Sequence, residues 1–353
     1  EIRLKKNFFN QQFVLVHNYF RNIKAQSARI EVIMTNRERV LAAVAGKPVD
    51  YVPAGFWIHF PEDCMEAEKA IQAHLDYFEK TGTSIMKIMN ENLVPCDIPI
   101  KQASDWKNLK TFNKNSKFIK DQLEIVKRIL DKTQDKGVTL LTVHGIVASA
   151  WHARGGSAGY ETGSQLLVDH LREDSAAVRY GYEIISDALA ILTEEAIAAG
   201  VDGIYYAALG GEEYLYTDEE FEEYVKPNDL KILDVAKKCP CFNVLHMCKD
   251  RLKLERYKDY PVDVVNWGVH EQNPSLEEGK KIFPNAAILG GLDDRAGVLV
   301  EGTKEDIEKE IFSILDRMGT NKFLLGADCT LPTDISYEKI RAAVMTPKKY
   351  SKR

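Results

Sequence analysis

Short apolar runs alternate with longer amphipathic stretches along most of the chain. Runs that are apolar on both faces are typical of parallel strands, because helices cover both sides of such a sheet. The alternation of strand and helix, repeated eight times, predicts an α/β fold, a (β/α)8 TIM barrel. The predicted strands are Val52–Ile58, Ser84–Met89, Val138–Val143, Gly203–Tyr206, Phe242–His246, Val262–Trp267, Ala286–Gly290 and Lys322–Gly326.

Four of the intervening stretches repeat apolar residues every three or four positions, as a helix with one buried face does. One of them stops before Gly200, and another begins after Thr217, which would cap its first turn. The chain of 353 residues is longer than the roughly 250 typical of a TIM barrel, so we expect insertions after the second and third strands. The predicted helices are Phe118–Lys136, Ser164–Ala199, Asp218–Lys238 and Glu305–Met318.

The first 33 residues differ from the rest, since Glu1–Ile33 mixes basic, aromatic and amide residues without a clear period. A helix is predicted to open after Met34, with Thr35 or Asn36 as its cap and Glu38 in its first turn. We therefore expect residues 34–353 to form a single TIM-barrel domain. Two interpretations of residues 1–33 stay open: an added or upstream-translated extension before a natural start at Met34, or an extra native helix.

Composition and charge narrow the function classes. The chain is 45% hydrophobic and 28% charged, which is ordinary for a globular protein. It has no apolar run long enough to span a membrane. A net charge of −6 argues against nucleic acid or an anionic membrane as a partner. Six cysteines are too few for a disulfide scaffold in a chain this long, so we expect reduced thiols and a cytoplasmic location.

Two of the predicted strands end on side chains that bind metals. His246 and Cys248 lie two positions apart, on the same side of an extended chain, and Cys329 follows the eighth strand. The carboxyl ends of barrel strands meet at one face, where TIM-barrel enzymes place their chemistry. One imidazole and two thiolates leave a fourth zinc position open, as a catalytic zinc requires. Taken singly, a buried core histidine or an apolar cysteine would be the ordinary interpretation.

Other polar and aromatic side chains fall at the same predicted face. We interpret five of them as substrate-binding candidates, with simple packing or backbone hydrogen bonding as the alternative for each. His270 and Glu271, after the sixth strand, are candidates for the fourth zinc position, and a solvated loop is the alternative. The five substrate-binding candidates are Trp57, His59, Asn90, His144 and Tyr206.

Two further segments carry reactive or mobile residue types. Cys239-Pro240-Cys241 precedes the fifth strand, at the opposite end of the predicted barrel, and we interpret it as structural. Trp151–Gly156 combines glycines with aromatic and basic groups, so it is either a lid, a docking segment or an ordinary surface turn.

The residues also carry a family resemblance that spans nearly the whole chain. Thr35–Pro53, Leu289–Asp293 and Glu301–Ile307 resemble the opening and the seventh-strand region of uroporphyrinogen decarboxylase-like proteins. The His-x-Cys pair with the later cysteine resembles the zinc-dependent corrinoid methyltransferase branch, which includes the methylcobalamin:coenzyme M methyltransferases.

This resemblance implies a TIM barrel with a specific chemistry. It implies that His246, Cys248 and Cys329 hold Zn²⁺ and that the zinc binds a small methyl acceptor, such as a thiol. The methyl group would come from, or go to, a corrinoid such as methylcobalamin, carried by a separate corrinoid protein. Tetrahydrofolate remains an alternative acceptor, and the direction of transfer stays open.

The decarboxylase branch of the same superfamily is the main alternative. It acts without a metal on a tetrapyrrole that carries many carboxylates, and the resemblance implies that arginines after the first strand bind them. Gly55–Asp63 has no arginine there and instead adds Glu62 and Asp63. Because carboxylates are recognised by arginine forks, the sequence favours the methyltransferase. A barrel that binds a corrinoid protein without chemistry is the third hypothesis.

Overall fold

The computed structural model describes residues 33–64, 66–133, 136–155 and 159–352. Seven parallel strands form one sheet whose spatial order follows the chain. This arrangement confirms the predicted α/β architecture with a parallel sheet, since every neighbouring pair of strands runs in the same direction. The strands are β1 Ile85–Ile88, β2 Val138–His144, β3 Gly203–Ala208, β4 Val244–Met247, β5 Val264–Trp267, β6 Ala287–Leu292 and β7 Phe323–Ala327.

The first predicted strand is not a regular strand. Residues 52–58 form an extended segment with isolated bridges to β7 and the segment after it, at Ala54–Leu325 and Ile58–Leu331. The amide of Ser84, just before β1, also donates to Ala54 O at 2.9 Å, so the segment lies between β7 and the start of β1. Pro53 has no N–H to donate, which weakens any ladder along this segment. The prediction of eight regular strands was therefore wrong by one.

Helices connect the strands and cover the sheet, as the amphipathic stretches predicted. Short 3₁₀ turns add Glu62–Cys64, Ala103–Asn108 and Leu254–Tyr257, and a π-helical turn spans Phe221–Val225. The α-helices are α1 Asn36–Val44, α2 Ala67–Thr81, α3 Lys117–Thr133, α4 Ile146–Ala153, α5 Tyr160–Glu173, α6 Ser175–Ala199, α7 Asp218–Glu220, α8 Lys226–Ala236, α9 Leu276–Ile282, α10 Lys304–Met318 and α11 Tyr337–Tyr350.

The helix boundaries follow local capping chemistry. Thr35 caps α1 in a capping box with Glu38, and Thr217 caps α7 as predicted. The single helix predicted over residues 164–199 is two helices, because Asp174 leaves helical geometry and its side chain accepts from Ala177 N at 3.0 Å. The second of them ends at Gly200, whose left-handed φ of 105° suits a residue without a side chain.

The sheet is buried on both faces, which places its chemistry at the strand ends. Nearly every residue of the seven strands is buried, so polar side chains reach a ligand mainly where the strands stop. Residues 35–353 form one compact unit. Residues 1–32 lie outside the described part of the chain, so their nature stays a prediction. Within the described residues, no helix is long and apolar enough to cross a membrane.

Candidate metal centre

His246, Cys248 and Cys329 meet at the carboxyl end of the sheet. His246 lies in β4, Cys248 follows that strand directly, and Cys329 follows β7. Cys329 Sγ is 3.3 Å from His246 Nε2 and 3.8 Å from Cys248 Sγ. The three ligand atoms lie within 4.8 Å of one another, and within the described part of the chain no other group of three metal-binding side chains is this close. The structure therefore brings together the three residues that the sequence singled out.

The orientation of His246 is fixed by a residue that sequence reasoning missed. Asn266, in β5, donates its amide hydrogens to Leu289 O at 2.8 Å and Ala327 O at 3.1 Å. Its carbonyl oxygen must therefore face His246 Nδ1, 2.7 Å away, and accept from it. With the proton on Nδ1, the Nε2 lone pair points toward the thiols. A hydrogen bond of this kind commonly fixes the tautomer of a metal-binding histidine.

The two thiols do not ionise alike. The Cys248 thiol donates to Cys329 Sγ, and this hydrogen bond holds the pKa of Cys329 well below its ordinary value. The same hydrogen bond and burial raise the pKa of Cys248 well above its ordinary value. Cys329 is therefore the first of the pair to become a thiolate. A site that favours one thiolate before metal arrives suits a soft cation.

The two candidates for the fourth ligand differ in position. His270 donates from its backbone N and its Nδ1 to Asp328 Oδ2, both at 2.8 Å, and its side chain is 42% exposed. It is therefore bound to Asp328. Glu271 is half-buried, and burial together with the negative charge of Cys329 raises the pKa of its carboxyl. Of the two, Glu271 is the residue whose pKa is raised by the charge of Cys329.

A second carboxyl, that of Asp294, is also affected by the charge of Cys329. Asp294, just after β6, is 2% exposed, and burial together with the charge of Cys329 raises its pKa to about 7. Its Oδ2 is 2.9 Å from Arg295 Nε. The neighbouring Asp293 has a different role, because its Oδ1 accepts from the backbone amides of Arg295 and Ala296 and so shapes the loop.

Aromatic rings and a lysine form the wall of the site nearest β1 and β3. Tyr205 donates to Asn266 Oδ1 at 2.9 Å and stacks on the His246 ring at 5.6 Å between centroids. Trp57 packs edge-on against Tyr205 at 4.7 Å. Lys87, in β1, places its ammonium 4.4 Å from the centre of the Tyr205 ring. A charged residue inside the apolar run of β1 was the sequence signal that could have revealed Lys87.

The remaining substrate-binding candidates lie near β1 and β2. His59 is exposed and its Nδ1 is 2.8 Å from Glu91 Oε1. Asn90 is buried and accepts from Asn92 N at 3.1 Å. His144 packs near the His152 ring, and burial lowers the pKa of His144 to about 3, which keeps it neutral. Their roles in binding a substrate stay predictions.

Tyr206 points away from the metal ligands. Its hydroxyl donates to Asp229 in α8, a carboxylate that also accepts from Tyr260 at 3.0 Å and from Ile146 N at 3.2 Å. Tyr206 therefore ties the outside of the sheet to its helices, and Tyr205 is the tyrosine that faces the site. The sequence showed two tyrosines in a doubly buried strand and gave no sign of which one faces inward.

Neither of the two segments noted in the sequence supplies one of the three ligands. Cys241, before β4, is 3.3 Å from Arg37 Nη2, and Asp202 binds the same guanidinium at 2.6 Å. This pair of cysteines lies at the amino end of the strands, as predicted. The segment 151–156 continues α4 through residue 153 and turns at Arg154 and Gly155, while Gly156 lies outside the described residues.

A comparison with protein families assigns the chain. The model of the family described as uroporphyrinogen decarboxylase (URO-D) matches residues 94–350, well over half of the sequence. The chain belongs to the uroporphyrinogen decarboxylase family. The resemblance noted in the sequence is thereby confirmed at the level of the family.

Two proteins that are similar to this chain are methyltransferases. The chain is 24% identical over 320 residues to the methylcobamide:CoM methyltransferase MtbA of Methanosarcina acetivorans, a match that covers 80% of this chain and 89% of that protein. A solved methyltransferase from Methanosarcina mazei superposes with a TM-score of 0.69 at 17% identity, over 90% of this chain and 99% of that one. The chain is thus similar in sequence to one methyltransferase and shares the fold of another.

A more distant likeness concerns the fold alone. A putative vitamin-B12 independent methionine synthase from Listeria monocytogenes superposes with a TM-score of 0.55 at 12% identity, over 85% of this chain and 97% of that one. The parallel sheet with its covering helices is therefore shared by proteins whose sequences have little in common with this one.

The donor set fits a zinc ion. One neutral imidazole and two cysteine sulfurs are ligands that zinc favours, and they are close enough to share one ion. The hydrogen bond from His246 Nδ1 to Asn266 already orients the imidazole for binding through Nε2. Three protein ligands leave room for a substrate, which is the pattern of a catalytic site.

Proposed function

We propose that this protein is a zinc-dependent methyltransferase that moves a methyl group between a corrinoid and a small acceptor such as a thiol or tetrahydrofolate. The observation that carries the proposal is the convergence of His246, Cys248 and Cys329 at one point. Asn266 also fixes the tautomer of His246. The sequence similarity to a methylcobamide:CoM methyltransferase supports it.

The residues of the site would have different roles in binding the metal, orienting its ligand and excluding water. His246, Cys248 and Cys329 would hold the metal, and bound zinc would lower the pKa of an acceptor thiol so that it reacts as a thiolate. Asn266 and Tyr205 keep the imidazole in one orientation. Methyl transfer needs an activated nucleophile, alignment and a dry site more than it needs acid–base groups. The buried ring of Tyr205 excludes water from that side.

Glu271 is the proposed occupant of the fourth zinc position when no acceptor is bound. The charge of Cys329 contributes to the raised pKa of the Glu271 carboxyl, whereas His270 is bound to Asp328. An incoming thiol would displace this carboxylate, which is a weaker ligand for zinc than a thiolate. The released carboxylate could then accept the proton that the thiol loses on binding.

The methyl group would be carried by a separate corrinoid protein, which docks at the carboxyl end of the strands. We place the acceptor between the metal and four of the substrate-binding candidates, Trp57, His59, Asn90 and His144. The fifth, Tyr206, is left out because its hydroxyl is bound to Asp229. The Methanosarcina acetivorans relative is a methylcobamide:CoM methyltransferase, which supports a thiol as the acceptor for this chain.

A decarboxylase of tetrapyrrole side chains is the second candidate, and the name of the family favours it. Residues 55–63 have no arginine for the substrate carboxylates, and the turn at residues 62–64 instead offers Glu62 and Asp63. A lyase that uses no metal would not need two thiols and an oriented imidazole as metal ligands. The methyltransferase therefore accounts for more of the site.

The test follows methylcobalamin demethylation by absorbance, with thiols and tetrahydrofolate as acceptors. We expect turnover by the zinc-loaded protein and none by Cys248→Ala or Cys329→Ala, while Cys239→Ala, a matched control at the other end of the sheet, behaves as wild type. Decarboxylation of uroporphyrinogen by the metal-free protein would instead support the lyase. A corrinoid protein that binds without any methyl transfer would support a binding role.

A further inference from the structure

A lysine is buried inside the sheet beside the metal centre. Lys87 lies in the middle of β1 and is 4% exposed. Lysine is almost never fully buried unless it is paired. TIM-barrel interiors are usually filled by branched apolar side chains, contributed in layers by alternate strands. Here β1, β3 and β5 contribute Lys87, Tyr205 and Asn266, and the last two already serve His246.

The ammonium of Lys87 has soft partners and no ion pair within the described residues. It lies 3.1 Å from Met89 Sδ, 4.4 Å from the centre of the Tyr205 ring and 5.3 Å from that of Trp57. Cation–π contacts with two rings offset part of the cost of burying the charge. They do not replace the carboxylate or hydrogen bonds that a buried cation ordinarily has.

Three acidic side chains favour the charged form of Lys87, and two of them are the thiols of the metal centre. Burial lowers the pKa of Lys87 to about 7, and the charges of Cys329, Glu91 and Cys248 each act to raise it. The interaction is reciprocal, because an ammonium that is stabilised by thiolates also stabilises those thiolates. Zn²⁺ with two thiolates is neutral, so a carboxylate or a third thiolate at the open position makes the centre negative.

We propose that the Lys87 ammonium is the counter-charge of the metal centre, which favours binding of a thiol acceptor as the thiolate. The inference rests on the proposed function and goes beyond it, since it assigns a positioning residue outside the ligand set. Lys87 acts through the field at the centre and not by ligating the metal, because the Tyr205 ring lies against both its ammonium and the His246 ring. Removal of Lys87 would leave the third thiolate without a compensating charge in a dry site.

The alternative is that Lys87 binds an anionic group elsewhere on the acceptor. Two thiols separate these roles: 2-mercaptoethanol, which is neutral apart from its thiol, and 2-mercaptoethanesulfonate, which carries a second anion. A counter-charge for the thiolate acts on both compounds alike. A contact with the distal anion acts only on the sulfonate.

The experiment measures the dissociation constants of both thiols for zinc-loaded wild type, Lys87→Met and Lys87→Arg by calorimetry at pH 7. Lys87→Met should weaken both thiols by at least about tenfold, as expected for loss of an opposite charge near an ionising group. Lys87→Arg, which keeps the charge, should restore most of this loss. Lys237→Met, which removes one exposed lysine from the far end of α8, is the control and should change neither constant.

A second readout separates a functional lysine from a structural one. Replacing a poorly paired buried charge by an apolar chain of similar length should raise the Tm of the metal-free protein by about 2 °C or more. A lower Tm would make Lys87 structural and overturn the inference. If Lys87→Met does not fold, Lys87→Gln takes its place in both measurements.

The remaining outcomes are also decisive. If Lys87→Met leaves both dissociation constants unchanged, or weakens binding of the sulfonate only, the role of Lys87 is overturned. The proposed function still stands in that case, provided that the wild-type protein binds zinc and thiol. A wild-type protein that binds neither zinc nor thiol would overturn both.

Discussion

Two pairs of cysteines lie at opposite ends of the same sheet. At the carboxyl end, Cys248 and Cys329 are 3.8 Å apart, and Cys329 lies beside Nε2 of His246. At the amino end, Cys241 lies beside the guanidinium of Arg37, and burial raises the pKa of Cys239 to about 12. The residue type is the same, but the neighbours of each pair are not.

The neighbours decide what each pair can do. An imidazole offers a lone pair to a shared metal, whereas a guanidinium offers only N–H donors and cannot ligate. Asn266 keeps the imidazole in the useful tautomer, while Arg37 binds Asp202 at 2.6 Å and links the elements below the sheet. Two thiols in one chain therefore become a metal site only where other residues orient a third ligand.

The largest expected effect is on zinc affinity. Cys248→Ala or Cys329→Ala should weaken zinc binding by more than the roughly 100-fold upper range for outer-shell partners, because a ligand itself is lost. Cys241→Ala should leave the zinc dissociation constant unchanged. Competition with a chromophoric chelator measures all three variants, and an equal loss in Cys241→Ala would remove the distinction between the two pairs.

The next effect concerns Asn266. Asn266→Leu should weaken zinc binding by about 10- to 100-fold, because His246 loses the acceptor that fixes its tautomer. Asn243→Leu is the matched control, since Asn243 is also buried and bonded to backbone, but at the amino end of β4. Both variants should lose stability on thermal unfolding. Only Asn266→Leu should change the zinc constant, and equal constants for the two would contradict the role given to Asn266.

A pH effect on stability is expected from Lys87. Its pKa is lowered from 10.5 to about 7 in the folded protein, so between these values the unfolded chain binds more protons. The free energy of unfolding of the metal-free wild type, relative to Lys87→Met, should therefore rise with pH, by up to about 1.4 kcal/mol per unit. Chemical denaturation at pH 7 and pH 9 measures this difference. A difference that stays constant or falls with pH would show that Lys87 is not held in a desolvated state.

The smallest effect is expected at the amino-end thiols. Cys241→Ala should change the free energy of unfolding by less than about 1 kcal/mol, because the partly buried thiol is a minor partner of the Arg37–Asp202 ion pair. Denaturant unfolding checks it. A loss of several kcal/mol would mean that the Cys241 thiol contributes much more to stability than a minor contact does.

The sequence predicted most of the fold because strands that are apolar on both faces stand out between amphipathic helices. It predicted the three metal-binding candidates because each stands at the end of such a run. The same feature hid the inward-facing residues. In a strand buried on both sides, alternation carries no sign of which face is the interior, so Tyr206 was chosen where Tyr205 faces the site.

Other parts of the site depend on long-range geometry. The role of Asn266 rests on carbonyls from β6 and β7, which no local pattern connects to it. The irregular segment at residues 52–58 follows from one missing donor at Pro53 and from bridges to a strand near the other end of the chain. Such contacts depend on how distant elements are arranged in space, and a single sequence does not display them.

X-ray absorption at the zinc edge tests the central claim most directly, because it counts the sulfur neighbours of the metal. In the zinc-loaded protein the account predicts two sulfur ligands together with lighter nitrogen and oxygen ligands. Addition of an acceptor thiol should raise the sulfur count to three while displacing one lighter ligand. A metal with four protein ligands and no change on addition of any thiol, or a protein that retains no zinc, would contradict the account.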